Sequence, residues 1–436
     1  MVLYCETITP RITYVSEFLS KEMQLGTLFF TTSVQEFLAA EGPKINYSNE
    51  LITDGIWIRP YGEGRGFLWE NNIRPVDIDC FQIDGLPAFF ATAGDIPFDI
   101  LAATFFLISR YEEYLPHEKD SYGRFSHEDS VAFKNQFLHI PLVNVWAMKL
   151  RELFSQRWRL EPLSEERFSF LPTYDIDIAW SYKHKGWVRT AGGIVRSILK
   201  GKPSEAVERI RVLTGKQEDP FDSFAWLHSL HEKHNLNPYY FFIVAKSTGK
   251  YDKNISPHNS AMRKLIRDHS LKYPIGIHPS WQSGDDHTLL TEEIKTLSGI
   301  TEKQVLCSRQ HFIRFNLPDT FRRLLDNGIL FDFSMGYGTI NGFRASVSSP
   351  YYWYDLEKEQ QTDLMLFPFC YMEANSFYEL KDSPEQAFEE MQKLYQSVKD
   401  VHGTFSIIWH NSFLGTDALY TGWREIYEKF IERISS

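Results

Sequence analysis

A ten-residue apolar run that ends in two carboxylates constrains this chain more than any other feature. It reads Phe168-Ser169-Phe170-Leu171-Pro172-Thr173-Tyr174-Asp175-Ile176-Asp177, with the aromatic and β-branched content of a buried strand. Residues two apart on a strand point to one face. Asp175 and Asp177 therefore project together from the strand's end, where α/β folds place their active sites. Two like charges that close repel, and a bound cation or a raised pKa on one of them relieves the repulsion. One Asp then serves as metal ligand and the other as general base; the same segment also reads as a polar loop after a strand.

At 436 residues the chain is longer than one ordinary core and suggests two domains. Its 43% hydrophobic and 24% charged content is that of a folded soluble protein. Aromatic residues reach 15%; most build cores, and some can stack on sugar rings. A net charge of −11 argues against nucleic acid or an anionic membrane as the main partner, although Lys183, His184, Lys185 and Arg189 form a local basic group. No apolar run approaches the ~20 residues that span a bilayer, and the N-terminus has no signal-like core. Cys5, Cys80, Cys307 and Cys370 show no paired spacing, which fits reduced thiols and a cytoplasmic address.

The first part reads as mixed α and β, with short strands at Ile52–Ile58 and Gly66–Trp69. A buried helix is expected within Ala91–Tyr114, its charged end Arg110–Tyr114 reaching solvent. Another starts at Pro141, because Val143, Trp146, Leu150, Leu153 and Phe154 keep helical spacing. The polar stretch Arg157–Glu166 is the expected linker between a domain at 1–160 and one at 165–436. The second part alternates strand-like and helical segments, which predicts βα units around a parallel sheet or barrel. Strands are expected at Tyr239–Val244, Pro274–Ile277, Leu364–Phe369 and Thr404–Trp409, and a polar helix at Pro257–Ser270.

Strand ends supply the remaining chemistry. His278 closes Ile275-Gly276-Ile277, where a neutral imidazole can bind a metal or sit as a hydrogen-bonded loop residue. His410 closes Phe405-Ser406-Ile407-Ile408-Trp409 and suits a general acid. Arg309 can pair with a carboxylate and lower its pKa, or lie on the surface.

In this order, Asp-x-Asp after a strand, a strand-end His, an Arg, an Asp and a final Ile-x-His, the chain resembles the polysaccharide deacetylase (NodB-like, carbohydrate esterase family 4) superfamily over roughly residues 165–436. The runs Ser109–Leu115, Gly276–Ser280 and Gly342–Ala345 resemble bacterial proteins in which such a domain follows an uncharacterised N-terminal one. The resemblance implies a distorted (β/α) barrel preceded by a smaller mixed α/β domain. It implies Asp175 as base, Asp177 and His278 as metal ligands, and Arg309 as the residue that orients the base. Asp332 would support His410, and His410 would be the general acid. The cofactor would be a divalent metal, zinc first, with nickel, cobalt or iron as alternatives. Trp281, Tyr337 and Tyr351 are candidates for sugar stacking.

Two departures stand against this pattern. Gln282 occupies the position of the usual second metal-binding His, and Gln is a poor zinc ligand; Ser280, Asp285, Asp286 or His287 would have to complete the site. His311 stands where the family often has Pro. The implied activity is removal of acetyl groups from an amino sugar or glycan, or another metal-dependent amide or ester hydrolysis. The alternative is a non-catalytic glycan-binding or scaffolding protein in surface-polysaccharide biosynthesis.

Overall fold

The computed structural model describes residues 1–62, 66–163 and 167–435. The chain begins in a strand, β1 (Val2–Cys5), which pairs in parallel with β2 (Phe29–Thr31) and β3 (Lys44–Tyr47). With β4 (Ile56–Ile58) these make a sheet of order β2-β1-β3-β4. Helices α1 (Pro10–Glu22) and α2 (Val34–Ala39) are the crossovers that parallel pairing requires. A hairpin of β5 (Phe81–Ile83) and β6 (Leu86–Ala88) follows, then α3 (Ile100–Ile108), α4 (Val131–Lys134) and α5 (Leu142–Arg157).

Three expectations for this part change. Only the end of Ile52–Ile58 is extended, as β4. Phe67–Trp69 is a 3-10 turn, because Gly66 takes a φ of +90° and swings the chain so that Trp69 stacks on Tyr47 at 5.1 Å. The buried helix starts only after its cap, Asp99, and every residue of α3 is buried. Its charged end does not reach solvent: Arg110 is left-handed at φ 55°, which turns Arg110, Glu112 and Glu113 back into the protein. The expected linker is described as far as residue 163; residues 164–166 lie outside the described residues.

The apolar run that ends in the Asp pair forms β7 (Ser169–Ile176). The sheet continues with β8 (Tyr239–Phe242), β9 (Ile275–Ile277), β10 (Cys307–Ser308), β11 (Phe331–Asp332), β12 (Tyr351–Asp355), β13 (Gln360–Leu366), β14 (Tyr371–Met372) and β15 (Thr404–His410). Its order is β12-β13-β11-β10-β9-β8-β7-β15-β14, parallel except for β12 against β13. The connections carry α6 (Gly186–Leu199), α7 (Pro203–Leu213), α8 (Phe224–His234), α9 (Ser260–Ser270), α10 (His287–Thr301), α11 (Asp319–Asp326) and α12 (Pro384–Asp400), and α13 (Trp423–Ser435) follows β15.

This sheet curls into a barrel, and chain length alone demands it. Laid flat, β13 and β14 would stand seven spacings apart, about 33 Å. The residues between Leu366 and Tyr371 can bridge at most about 17 Å. The link in fact closes the ring: Phe367 N donates to Asp332 O on β11 at 2.8 Å, and Cys370 N to Ser406 O on β15 at 3.2 Å. Phe241, Cys307 and Phe333 fill the interior. Gly276 makes room for them, since a Cβ there would come 2.4 Å from the Phe241 ring. The fold is thus a distorted barrel preceded by a smaller mixed α/β region, as expected.

The two parts share one continuous apolar core. Buried ion pairs run along their seam: Arg344 Nε and Nη2 donate to Glu113 at 2.8 and 2.6 Å, and Arg110 Nε donates to the same carboxylate at 2.7 Å. Phe343 N donates to Leu138 O at 2.8 Å and Val143 N to Ser346 O at 2.9 Å, so backbone crosses the seam as well.

Candidate active site

Parallel strands deliver their carboxyl ends to one rim, and that rim carries every titratable group of the site. Asp175 and Asp177 leave β7, His278 leaves β9, Arg309 and His311 leave β10, and His410 ends β15. All but the buried Arg309 line a cavity of about 460 Å³, within the size range of small-molecule sites.

Three imidazoles converge on Asp177, and each has its far nitrogen fixed. His278 Nδ1 lies 2.5 Å from the Arg309 carbonyl; a carbonyl only accepts, so Nδ1 carries the hydrogen and Nε2 presents a lone pair. That Nε2 lies 3.2 Å from Asp177 Oδ1 and 3.7 Å from Asp175 Oδ2. His311 donates from Nδ1 to Asp252 at 3.1 Å and aims Nε2 at Asp177 Oδ2, 3.5 Å away. His410 is held the same way by Glu373 at 2.6 Å, with Nε2 3.5 Å from Asp177 Oδ2.

This donor set fits a metal ion. Ligand atoms of Asp177, His278 and His311 lie within 4.8 Å of one another. Two histidines and one carboxylate are an ordinary zinc set, and histidine ligands characteristically donate their second N–H to a carboxylate or carbonyl. Asp177 Oδ1 is buried with no hydrogen-bond partner, and it faces the lone pair of His278 Nε2; two acceptors so placed repel unless a cation or proton lies between them. Asp177, His278 and His311 could therefore hold a divalent ion.

Electrostatics agree. Burial pushes the Asp177 carboxyl up, but His311, joined by His410, outweighs it and holds the pKa well below the usual range. Burial likewise pushes His311 down, while Asp177 and Asp252 hold it up at about 9. His410 reaches about 10, because Glu373, Asp177 and Asp175 overcome its desolvation. A metal ion and these protons compete for the same lone pairs.

Asp175 is held beside this cluster. Arg309 Nη1 donates to its Oδ1 at 2.9 Å, and both side chains are buried. Arg309 is itself fixed by Nε to Phe333 O at 3.0 Å and by the Phe241 ring, 4.5 Å from the guanidinium carbon. Asp175 and His410 face each other in register on β7 and β15.

The structure corrects the expected role of Asp332. It accepts from Ser308 Oγ at 2.6 Å and from Ser334 N and Oγ at 2.8 and 3.0 Å, away from His410. Burial raises its pKa to about 6, against these bonds and Arg309. The reason is topological: β14 pairs directly with β15, whereas β11 does not. Glu373, next after β14, therefore takes the place beside His410, and its Oε1 also accepts from His410 N at 2.7 Å. Asp332 instead ties the ends of β10 and β11 together, where Arg309 is mounted.

The third ligand also differs from expectation. Asp285, Asp286 and His287 are exposed, Ser280 is engaged with Ser283 and Glu293, and Gln282 is exposed. His311, noted in the sequence only as a departure, comes in from the next strand instead. Its turn is strained: Phe312 and Ile313 have φ of 59° and 54°, and a β-branched residue there is a rare outlier. Arg124 of the N-terminal part steadies that turn, donating Nη1 to Phe312 O at 2.6 Å.

The aromatic assignments shift too. Tyr337 and Tyr351 are buried, Tyr337 beneath the Arg344 guanidinium at 5.2 Å and Tyr351 edge-on to Phe18. Trp281 lies one layer back, stacked behind Tyr251 at 4.0 Å. Tyr122, Tyr251 and Phe312 face the cavity on one side, and Tyr378, Phe413 and Tyr420 on the other. Asp252, Glu373, Tyr122 and Arg124 carried no signal in the sequence beyond ordinary loop polarity. Glu373 could have been found as the acid that follows the short apolar pair Tyr371-Met372.

Residues 1–159 match the model of a family of unknown function (DUF7033). The chain is similar to a solved protein of Mycobacterium smegmatis assigned as a polysaccharide deacetylase, at 13% identity and a TM-score of 0.41, over 64% of this chain and 87% of that one. It is similar to another so assigned from Pseudomonas aeruginosa, at 13% identity and a TM-score of 0.39, over 63% and 88%. A polysaccharide deacetylase of Bacillus cereus matches at 9% identity and a TM-score of 0.30, over 61% and 88%. No curated protein matches the chain.

Proposed function

We propose that this chain is a metal-dependent hydrolase that removes an acetyl group from an amino sugar or glycan. The observation that carries the reading is the convergence of three oriented imidazoles on Asp177 beside a buried Asp175–Arg309 pair. A divalent ion held by Asp177, His278 and His311 would supply Lewis acidity towards an acyl carbonyl. Asp175, kept in one rotamer by Arg309, would accept the proton of the attacking water. His410, oriented by Glu373, would give a proton to the leaving amine or hydroxyl. The aromatic walls suit the flat faces of sugar rings. Tyr122 and Arg124 give the N-terminal part a share in positioning substrate.

Gln282 favours a non-catalytic member; its place on the surface, with His311 positioned to offer a third donor, supports the hydrolase reading instead. The test is metal analysis of the purified chain together with acetate release from acetylated amino sugars. Stoichiometric metal that disappears in Asp177→Ala, with acetate release lost in Asp175→Asn while metal is retained, is the expected pair of results. Absence of metal after incubation with zinc, nickel or cobalt would refute the proposal.

A further inference from the structure

Helices α6 and α7 form a hairpin that turns its apolar side outward. Along α6, Trp187, Val188, Val195, Ile198 and Leu199 fall on one stripe at helical spacing, and they are 82, 63, 55, 57 and 81% exposed. The one buried residue of α6 is a serine, Ser197, bonded to Glu205 of α7 at 3.2 Å. Val207 and Ile210 continue the exposed apolar surface on α7. A helix that packed onto its own protein would show the opposite pattern.

Charge distinguishes the partner. From Lys183 to Lys216 the chain carries nine Lys and Arg against two Glu, in a protein whose net charge is −11. By helical spacing Arg196, Arg189 and the C-cap Lys200 follow just beyond the Leu199 edge of the apolar stripe of α6. A second copy of the hairpin would set like charges against each other, which disfavours a self-complementary contact. An outward apolar stripe with tryptophan, bordered by Lys and Arg, is the composition of a helix that lies in an anionic lipid surface.

The hairpin is also fastened beside the cavity. Asp219 accepts from the backbone N–H groups of Ser181, Tyr182 and Lys183 at 2.7, 2.8 and 2.9 Å. Arg189 Nη2 donates to the carbonyl of Lys253 at 3.4 Å, and Lys253 lines the cavity with Phe221. We infer that the α6–α7 hairpin docks the protein on an anionic lipid surface, with the cavity mouth held next to the headgroups. This goes beyond the hydrolase reading and does not depend on it.

Flotation of the full chain with unilamellar vesicles tests the inference without any assay of activity. The protein should float with vesicles of phosphatidylglycerol and phosphatidylcholine, remain behind with phosphatidylcholine alone, and dissociate as salt is raised. Trp187→Ser, Ile198→Gln and Leu199→Gln combined should lower partitioning roughly tenfold or more, as should Lys185→Glu, Arg189→Glu and Lys200→Glu combined. Leu271→Gln, an exposed apolar residue elsewhere (76% exposed), should leave it unchanged, and thermal melts should confirm that each variant is folded. Failure to float with anionic vesicles at low salt, or flotation that neither triple variant weakens, would overturn the inference. So would a concentration-dependent dimer that the apolar triple abolishes while vesicles are ignored, which would assign the face to self-association.

Discussion

The seam between the two parts and the floor of the cavity are built from the same pair of groups, arginine and carboxylate, and they treat it differently. At the seam both Glu113 oxygens are occupied by Arg110 and Arg344. Glu22 nearby accepts from Asn144 at 2.7 Å and Ser349 at 2.9 Å. On the floor Asp177 Oδ1, and behind it Arg309 Nη2 and Glu373 Oε2, are buried without a hydrogen-bond partner. Leaving buried polar atoms unpaired costs about 1–3 kcal/mol each, so a fold retains them where they serve something other than stability. At the seam the shared carboxylate of Glu113 is fully engaged by two arginines; in the cavity the buried Asp177 Oδ1 is left open towards the place where a ligand would bind.

That contrast can be broken by exchanging the readouts. Glu113→Ala strands the buried Arg344 guanidinium, while Arg110 keeps Glu112, and should reduce unfolding free energy by about 3–5 kcal/mol, measured by denaturant titration, with metal content of the folded fraction unchanged. Asp177→Ala should do the reverse: loss of stoichiometric metal, with a far smaller change in the stability of the metal-free protein. If both variants lose stability equally, the division between seam and floor fails.

Acid titration sharpens the same point. Burial would raise the Glu113 carboxyl, but Arg344 and Arg110 hold it at about 2 against an ordinary 4.5. The ionised group binds its proton less readily folded than unfolded, so its contribution is fully present above pH 4.5 and is withdrawn as pH falls towards 2. Glu113→Gln should flatten that limb of the stability profile.

Smaller effects distinguish the partners of single groups. Glu373→Gln removes the charge that raises His410, so the alkaline limb of acetate release should move to lower pH, with a loss of about 10- to 100-fold in rate. Asp332→Asn should leave that limb where it is; a shift would restore the partner first expected for His410. Arg124→Ala frees the strained turn beneath His311 and should weaken metal binding by roughly tenfold, the low end for an outer-shell group, as read by competition with a chelator.

Much of this molecule was readable from local pattern. The strands that end in Asp175, His278 and His410 announce themselves because apolar alternation and strand length are local properties. The pairing of Asp175 with Asp177 on one face follows from strand geometry, and so does the alternation that yields a parallel barrel. The charged end of α3 misled, since a left-handed Arg110 leaves no trace in hydrophobic periodicity. Tyr337 misled for the opposite reason: an aromatic beside a site motif looks the same whether it faces ligand or arginine.

The sequence by itself determined which groups exist for chemistry and which strands present them. Only the tertiary structure decided who partners whom. Strand order put Glu373, not Asp332, beside His410, and it brought the His311 ring from the neighbouring strand to within 4.8 Å of the ligand atoms of Asp177 and His278. Such pairings depend on closure of the barrel and on a seam with residues hundreds of positions away, and neither is encoded in the spacing of any one segment.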